Sequence, residues 1–236
     1  MLKAATSSRL HFANEKKIIL HFSIQDEAVA LILKCRKLNS LYMSGTNISD
    51  EGKARIIMGL PKLRNLVRAD YLCDALGWID YLEEVEDPVF DIREFIPSTS
   101  YFFHEDWQME MVSRMCPNIE KMLFIQHPKC CPTLEPLESF HKLTELQIHG
   151  SEWNKSGIEK LLQKLGSQLI NLGLIAVKGI SVNSLNNLFG LCNNLTGVVF
   201  NSCEFDWSSE DHQTIYTDKH PTIDSLEEVV LTSHTQ

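Results

Sequence analysis

One spacing recurs along this chain and constrains its fold more than any other feature. The segment "LTGVVFNSCEF" has apolar residues at Leu195, Val198, Phe200, Cys203 and Phe205. The intervals are three, two, three and two, whereas a lone strand alternates by two and a helix repeats by three or four. The same pattern starts at Leu38, Leu143, Leu169 and Leu226, with weaker copies at Leu63, Ile92 and Ile119. Successive starts lie 25, 29, 27, 24, 26, 26 and 31 residues apart. Self-similarity at that period marks a stacked architecture in which no unit buries its apolar face alone. The two-residue alternation belongs to a short strand, and the three-residue intervals are where the chain bends into and out of it.

The pattern L-x-x-L-x-L-x-x-C/N/T-x-L resembles the leucine-rich repeat. That resemblance implies an α/β solenoid with a curved parallel sheet on the concave face and helices on the convex face. Strands are expected at Leu38–Met43, Leu63–Val67, Ile92–Ile96, Ile119–Phe124, Leu143–Ile148, Leu169–Leu174, Leu195–Phe200 and Leu226–Leu231. The array would occupy residues 38–236 and end in an incomplete repeat. Residues 1–37 would form an N-terminal segment with a partial repeat, its strand at Leu20–Phe22. An open final repeat exposes an apolar edge, so the natural protein is expected to continue past Gln236 or this chain to be a fragment.

Helical return segments fit the apolar spacing. "SDEGKARIIMGL" places Ile56, Ile57 and Leu60 inward, and "SVNSLNNLFGLC" does so with Val182, Leu185, Leu188 and Phe189. In "SGIEKLLQKLGSQ", Ser156 and Glu159 have capping-box spacing ahead of Leu161, Leu162 and Leu165. The return segment at about 68–91 is irregular: Trp78, Tyr81 and Leu82 fit an apolar stripe, followed by Glu83, Glu84, Glu86 and Asp87. Thr46, Cys130, Ser151 and Cys203 fall where the chain leaves each strand, a place for a small inward side chain.

Three residues before each strand start stand Cys35, Leu60, Val89, Cys116, Phe140, Gly166, Cys192 and Ile223, apolar but for the glycine. "KCRKL", "MCPNI" and "LCNNL" resemble the helix-to-strand junctions of cysteine-containing leucine-rich repeats, as in F-box/leucine-rich-repeat proteins. That resemblance implies the substrate-recognition part of a Skp–cullin–F-box ubiquitin ligase. An F-box would precede the repeats, yet Met1 to Lys37 holds no L-P-x-E-type segment, so the Skp adaptor and cullin are partners only if an F-box lies upstream. The alternative is a stand-alone scaffold or inhibitor unrelated to ubiquitin.

Composition narrows the partner. The chain has 22 Lys and Arg against 31 Asp and Glu, for a net charge of −9, and no basic cluster. A nucleic-acid backbone and an anionic membrane are poor matches, which leaves protein. No apolar run reaches the length of a membrane span, and no signal-peptide h-region follows Met1, so a cytoplasmic or nuclear location is expected. The acid-free start "MLKAATSSRLHFAN" makes mitochondrial import the alternative. Seven cysteines, an odd number, do not form a secreted disulfide framework.

No catalytic motif is present, and a non-enzyme without metal or cofactor is expected. His104, Glu105 and Asp106 are consecutive, and neighbours on a helix do not face one another; acids there suit a helix N-terminus, ahead of the inward Met111, Val112 and Met115. "HPKCC" offers His127, Cys130 and Cys131 with only His141 nearby, short of the paired spacing of a zinc site.

The remaining candidate is the fifth position of each strand motif, which points away from the core by strand alternation. The column comprises Tyr42, Val67, Ile96, Leu123, Gln147, Gly173, Val199 and Val230. Contiguous exposed apolar surface marks interaction sites. A protein partner is therefore expected on Tyr42, Val67, Ile96, Leu123, Gln147, Val199 and Val230 of the concave face.

Overall fold

The computed structural model describes residues 16–20, 23–43, 45–67, 72–82, 88–97, 106–126, 134–206 and 228–232. Nine strands form one all-parallel sheet in strict sequence order: β1 (Lys17–Ile19), β2 (Ser40–Tyr42), β3 (Asn65–Val67), β4 (Glu94–Ile96), β5 (Lys121–Ile125), β6 (Glu145–His149), β7 (Asn171–Ile175), β8 (Gly197–Asn201) and β9 (Glu228–Thr232). Between them run helices α1 (Val29–Ile32), α2 (Asp50–Gly59), α3 (Leu72–Tyr81), α4 (Asp106–Met115), α5 (Trp153–Ser156), α6 (Ile158–Leu165) and α7 (Val182–Leu191). The return before β6 is only a 3₁₀ turn, Glu135–Ser139, with Pro136 inside it. A parallel sheet whose neighbours in space are neighbours in sequence, each joined by a return on one side, is the leucine-rich-repeat solenoid.

Two rungs of strand side chains run through the core. The strand anchors Leu38, Leu63, Ile92, Ile119, Leu143, Leu169 and Leu195 are all buried, as are their fourth-position partners Leu41, Leu66, Phe95, Met122, Leu146, Leu172 and Val198. Stacking neighbouring repeats removes both rungs from water, which supplies the main driving force. Asn39, Arg64, Arg93, Glu120, Thr144 and Ile170 each present a carbonyl or N–H to the adjoining repeat just before the strand, extending the ladder by one rung. β2, β3 and β4 all stop at the fifth position of the motif, at Tyr42, Val67 and Ile96.

Three of the expected features are placed differently. The first strand is Lys17–Ile19, three residues earlier than Leu20–Phe22; Ile18 and Ile19 pair with Leu41 and Tyr42, so Ile18 takes the inward fourth position. In α3 the buried stripe is Leu72, Cys73, Ala75, Leu76 and Ile79, while Trp78 is 36% and Tyr81 79% exposed. Two apolar stripes compete on that helix, and the one without aromatic rings, with its smaller residues, is the one that packs behind the sheet. The Trp78 and Tyr81 rings lie outside together, their centroids 6.2 Å apart.

Ser156 is the last residue of α5 and does not stand at the N-cap of α6, the place a capping box with Glu159 requires. Gly157, at φ +79°, separates α5 from α6 and starts α6 without a side-chain cap; the Glu159 carboxylate instead accepts from Asn187 of α7 at 3.0 Å. A true capping box closes α7, where Ser181 and Ser184 cap each other's backbone N–H. In that helix Val182 and Leu188 are buried, and Leu185 and Phe189 pack half-buried against the core. Ser49 caps α2 by accepting from Gly52 N, and Ile56, Ile57 and Leu60 are buried as expected. The Asp26 carboxylate accepts from Ser49 N at 2.8 Å, and the Ser49 hydrogen bonds hold its pKa below the usual carboxylate value.

Among the described residues the junction column behaves as a core rung with one exception; Ile223 lies outside them. Cys35, Leu60, Cys116, Phe140 and Cys192 are buried, but Val89 is 63% exposed and the next residue, Phe90, packs inward instead. Phe90 N donates to the Met115 carbonyl at 2.7 Å, which fixes that shift by one. Burial raises the thiol pKa of Cys35 and Cys116 and pushes that of Cys192 up to about 12. Where the chain leaves its strands, Thr46 Oγ1 donates to the Met43 carbonyl at 2.8 Å, Ser151 to the Gln126 side chain, and Cys203 Sγ to the Leu174 carbonyl at 3.1 Å.

Candidate functional site

Register decides which side chains meet on the face of the sheet opposite the helices. Ile19 pairs with Tyr42, Tyr42 with Val67 and Val67 with Ile96; from β5 onward Leu123, Gln147, Gly173, Val199 and Val230 pair in series. The β4–β5 ladder stops at Phe95 and Met122, one residue before Ile96 and Leu123, so the fifth positions form two paired runs that follow one register across the nine strands. At about 4.8 Å per strand the line is roughly 38 Å long.

Within that line the surroundings vary. Ile19 is 68% exposed, Tyr42, Ile96, Val199 and Val230 are half-buried, and Gln147 is exposed. Leu123 differs, at only 8% exposed, and is a wall of the face more than a projecting contact. The Val67 backbone lies in β3; its side chain is outside the described residues. Sequence reasoning omitted Ile19, because the first strand was set three residues late; the alternation of Ile18 and Leu20 with Ile19 between them was the available signal.

Beside the apolar line runs a polar one. Asp91 accepts from Arg64 at 2.9 Å and from Arg93 at 3.3 Å, Arg93 also reaches Glu120 at 2.8 Å, and Lys121 pairs with Glu145 at 2.8 Å. Asn118 joins by donating to Asp91, and accepts from Lys142. These charges are satisfied by one another, repeat to repeat. Exposed ion pairs contribute little stability singly. Their effect on the face is to leave its centre apolar and amide-lined between self-compensated charges.

A hollow of about 270 Å³ opens in this face over β5 to β8. It exists because the fifth position of β7 is Gly173 and the third position of β8 is Gly197, so two side chains are missing from the lattice.

His104, Glu105, the 83–87 acidic run and the 127–131 His/Cys cluster lie outside the described residues, and His141 is exposed on a turn. α4 begins at Asp106, and Met111, Val112 and Met115 of that helix are buried. Among the described residues no three His, Cys, Asp or Glu side chains are grouped to hold a metal ion. No described helix is long and apolar enough to cross a membrane.

The sequence matches no protein-family model and no curated protein. Among solved structures, the chain is similar to the leucine-rich-repeat-containing protein LegL7 of Legionella pneumophila, at 10% identity over 87% of this chain and 70% of that one, with a TM-score of 0.45. It is also similar to an internalin, InlF, of Listeria monocytogenes, at 14% identity over 86% and 70% of the two chains and a TM-score of 0.34. A third similarity is to TLR13, solved as a complex with ssRNA13, at 13% identity over 86% of this chain and 37% of that one, with a TM-score of 0.32.

Proposed function

We propose that this chain is a non-catalytic binding module that receives a protein partner on the open face of its sheet. The observation that carries the reading is the in-register line through Tyr42, Ile96 and Val199, apolar side chains left half-exposed on a face that no described helix covers. Solvent alone would favour polar residues there, and contiguous apolar surface of this kind marks interaction sites. The ion-pair ladder alongside supplies a polar rim, as interfaces have.

The test is the variant Tyr42→Glu, Ile96→Glu, Val199→Glu. It is expected to lose a partner that co-purifies with the native chain while its thermal midpoint stays within a few degrees. Retained partner, or a collapse of the midpoint, counts against the reading. Leu123 is left out of this variant because its burial means that a charge there would unfold the sheet locally.

The finer assignment, substrate recognition in a Skp–cullin–F-box ligase, is supported by the resemblance of the cysteine junctions alone. Co-purification with the Skp adaptor, tested with this chain and with any longer upstream transcript, separates it from a scaffold or inhibitor unrelated to ubiquitin.

A further inference from the structure

We infer that the hollow over β5 to β8 is an anchor pocket for one uncharged aromatic side chain with a polar edge, tyrosine or tryptophan, presented by the protein partner. This rests on the reading of the sheet face as the binding surface and specifies what that surface selects. Size comes first. At about 270 Å³, and open to solvent, the hollow is smaller than the pockets of roughly 300 Å³ and above that enclose small molecules and cofactors. It suits a single large side chain.

Shape follows from the two glycines. A Cβ on Gly173 would stand 2.9 Å from Gln147 Cγ, and one on Gly197 would meet the Asn171 side-chain oxygen. Each carboxamide therefore leans across its neighbouring glycine, and the floor is peptide backbone and carboxamide, with Ile96 and Leu123 on one side and Val199 on the other. A flat ring matches such a floor better than a branched aliphatic chain.

Charge and hydrogen bonding fix the rest. The charged side chains lining the hollow, Lys121 and Glu145, are paired with each other at 2.8 Å, so an ionic occupant would find no free counter-charge. Gln147 and Asn171 are exposed, and neither side chain bonds another described residue. An aliphatic occupant would strip water from both amides and return nothing, leaving donors and acceptors unpaired. A phenol hydroxyl or an indole N–H replaces the lost water while the ring buries its apolar body. Tyrosine and tryptophan are also the residues that dominate interface anchors.

The test uses defined probes: blocked pentapeptides Gly-Gly-X-Gly-Gly with X as Tyr, Trp, Leu, Glu or Lys, titrated against the full chain and followed by amide NMR. The Tyr and Trp peptides should shift the Gly173 and Gly197 backbone signals and the Gln147 and Asn171 side-chain amides, at least fivefold more tightly than Leu. Glu and Lys peptides should produce no saturable shift there. Gly173→Leu, which fills the hollow, should abolish the aromatic shifts. Gly197→Val serves the same purpose should the first variant lose its dispersed spectrum. Equal binding of the charged or leucine peptides, shifts confined to other parts of the chain, shifts that persist in a folded filled variant, or no saturable shift with any peptide would each overturn the proposal. The two readings fail separately: if the triple-Glu variant loses the protein partner but Gly173→Leu retains it, the face binds and the anchor is wrong. If both variants retain the partner, the face itself is wrong.

Discussion

At Gly166 the backbone angles are ordinary helical ones, φ −56° and ψ −40°, so conformational freedom does not explain the glycine. A Cβ there would stand 2.7 Å from the Leu191 carbonyl oxygen and 3.1 Å from Cys192 Sγ, and a backbone oxygen cannot swing aside. The next repeat occupies the space that its counterparts Cys35, Cys116 and Phe140 fill with side chain. Gly166→Ala should therefore destabilise the fold by about 1–3 kcal/mol, the usual consequence of overpacking, as a lower midpoint in urea. The buried cysteines of the same rung make a second prediction. Cys35, Cys116 and Cys192 should resist an alkylating reagent until the chain unfolds, because the thiolate is the reactive form and burial disfavours it. The sign for stability follows: an unfolded Cys192 ionises near its ordinary value of 9.0, whereas the folded one holds its proton until about 12. Across that window the unfolded state binds fewer protons, so stability should fall as pH rises, and Cys192→Ala should flatten that part of the profile. Rapid native labelling of all three would contradict their placement.

Four repeats leave their strands through a left-handed residue two positions past the last inward side chain: Gly45 at φ +74°, Gly150 at +77°, Ala176 at +52° and Ser202 at +54°. The turn is required by the return of the chain to the helix side, and two repeats make it without glycine. A side chain in this region costs about 1–2 kcal/mol, offset in part by glycine's larger unfolded-state entropy. Ala176→Gly should be neutral or stabilising by up to about 1 kcal/mol, whereas Gly150→Ala should destabilise by about 1 kcal/mol or more, in equilibrium unfolding. A large loss with Ala176→Gly would show that the methyl group, not the turn, matters there. At this scale the sequence was readable where periodicity was unambiguous, as in α2, α4 and the strands from β2 onward. It misled where two signals overlapped: aromatic Trp78 and Tyr81 against the aliphatic stripe of α3, and Ser156 with Glu159 against the breaker Gly157. Neither conflict could be resolved without knowing how much room the neighbouring repeats leave.

For the molecule as a whole, the repeat period set parallel order and one covered, one open face, because units of one length can only stack in sequence order. The line of fifth-position side chains was legible from the same register, Ile19 excepted. The hollow was not, since its floor is made by two glycines on different strands and by Gln147 and Asn171 leaning over them, and neither is a pattern along the chain. The central claim is that the open face, not the convex helices with Trp78 and Tyr81, meets the partner. The direct measurement is site-specific photo-crosslinking in cells, with a benzoylphenylalanine placed singly at Tyr42, Ile96 or Val199 and, as convex controls, at Met58 or Tyr81. The account predicts adducts to one common protein from the three sheet positions and none to it from the two helix positions. The same protein captured from Met58 or Tyr81 and missed by Tyr42, Ile96 and Val199 would contradict it.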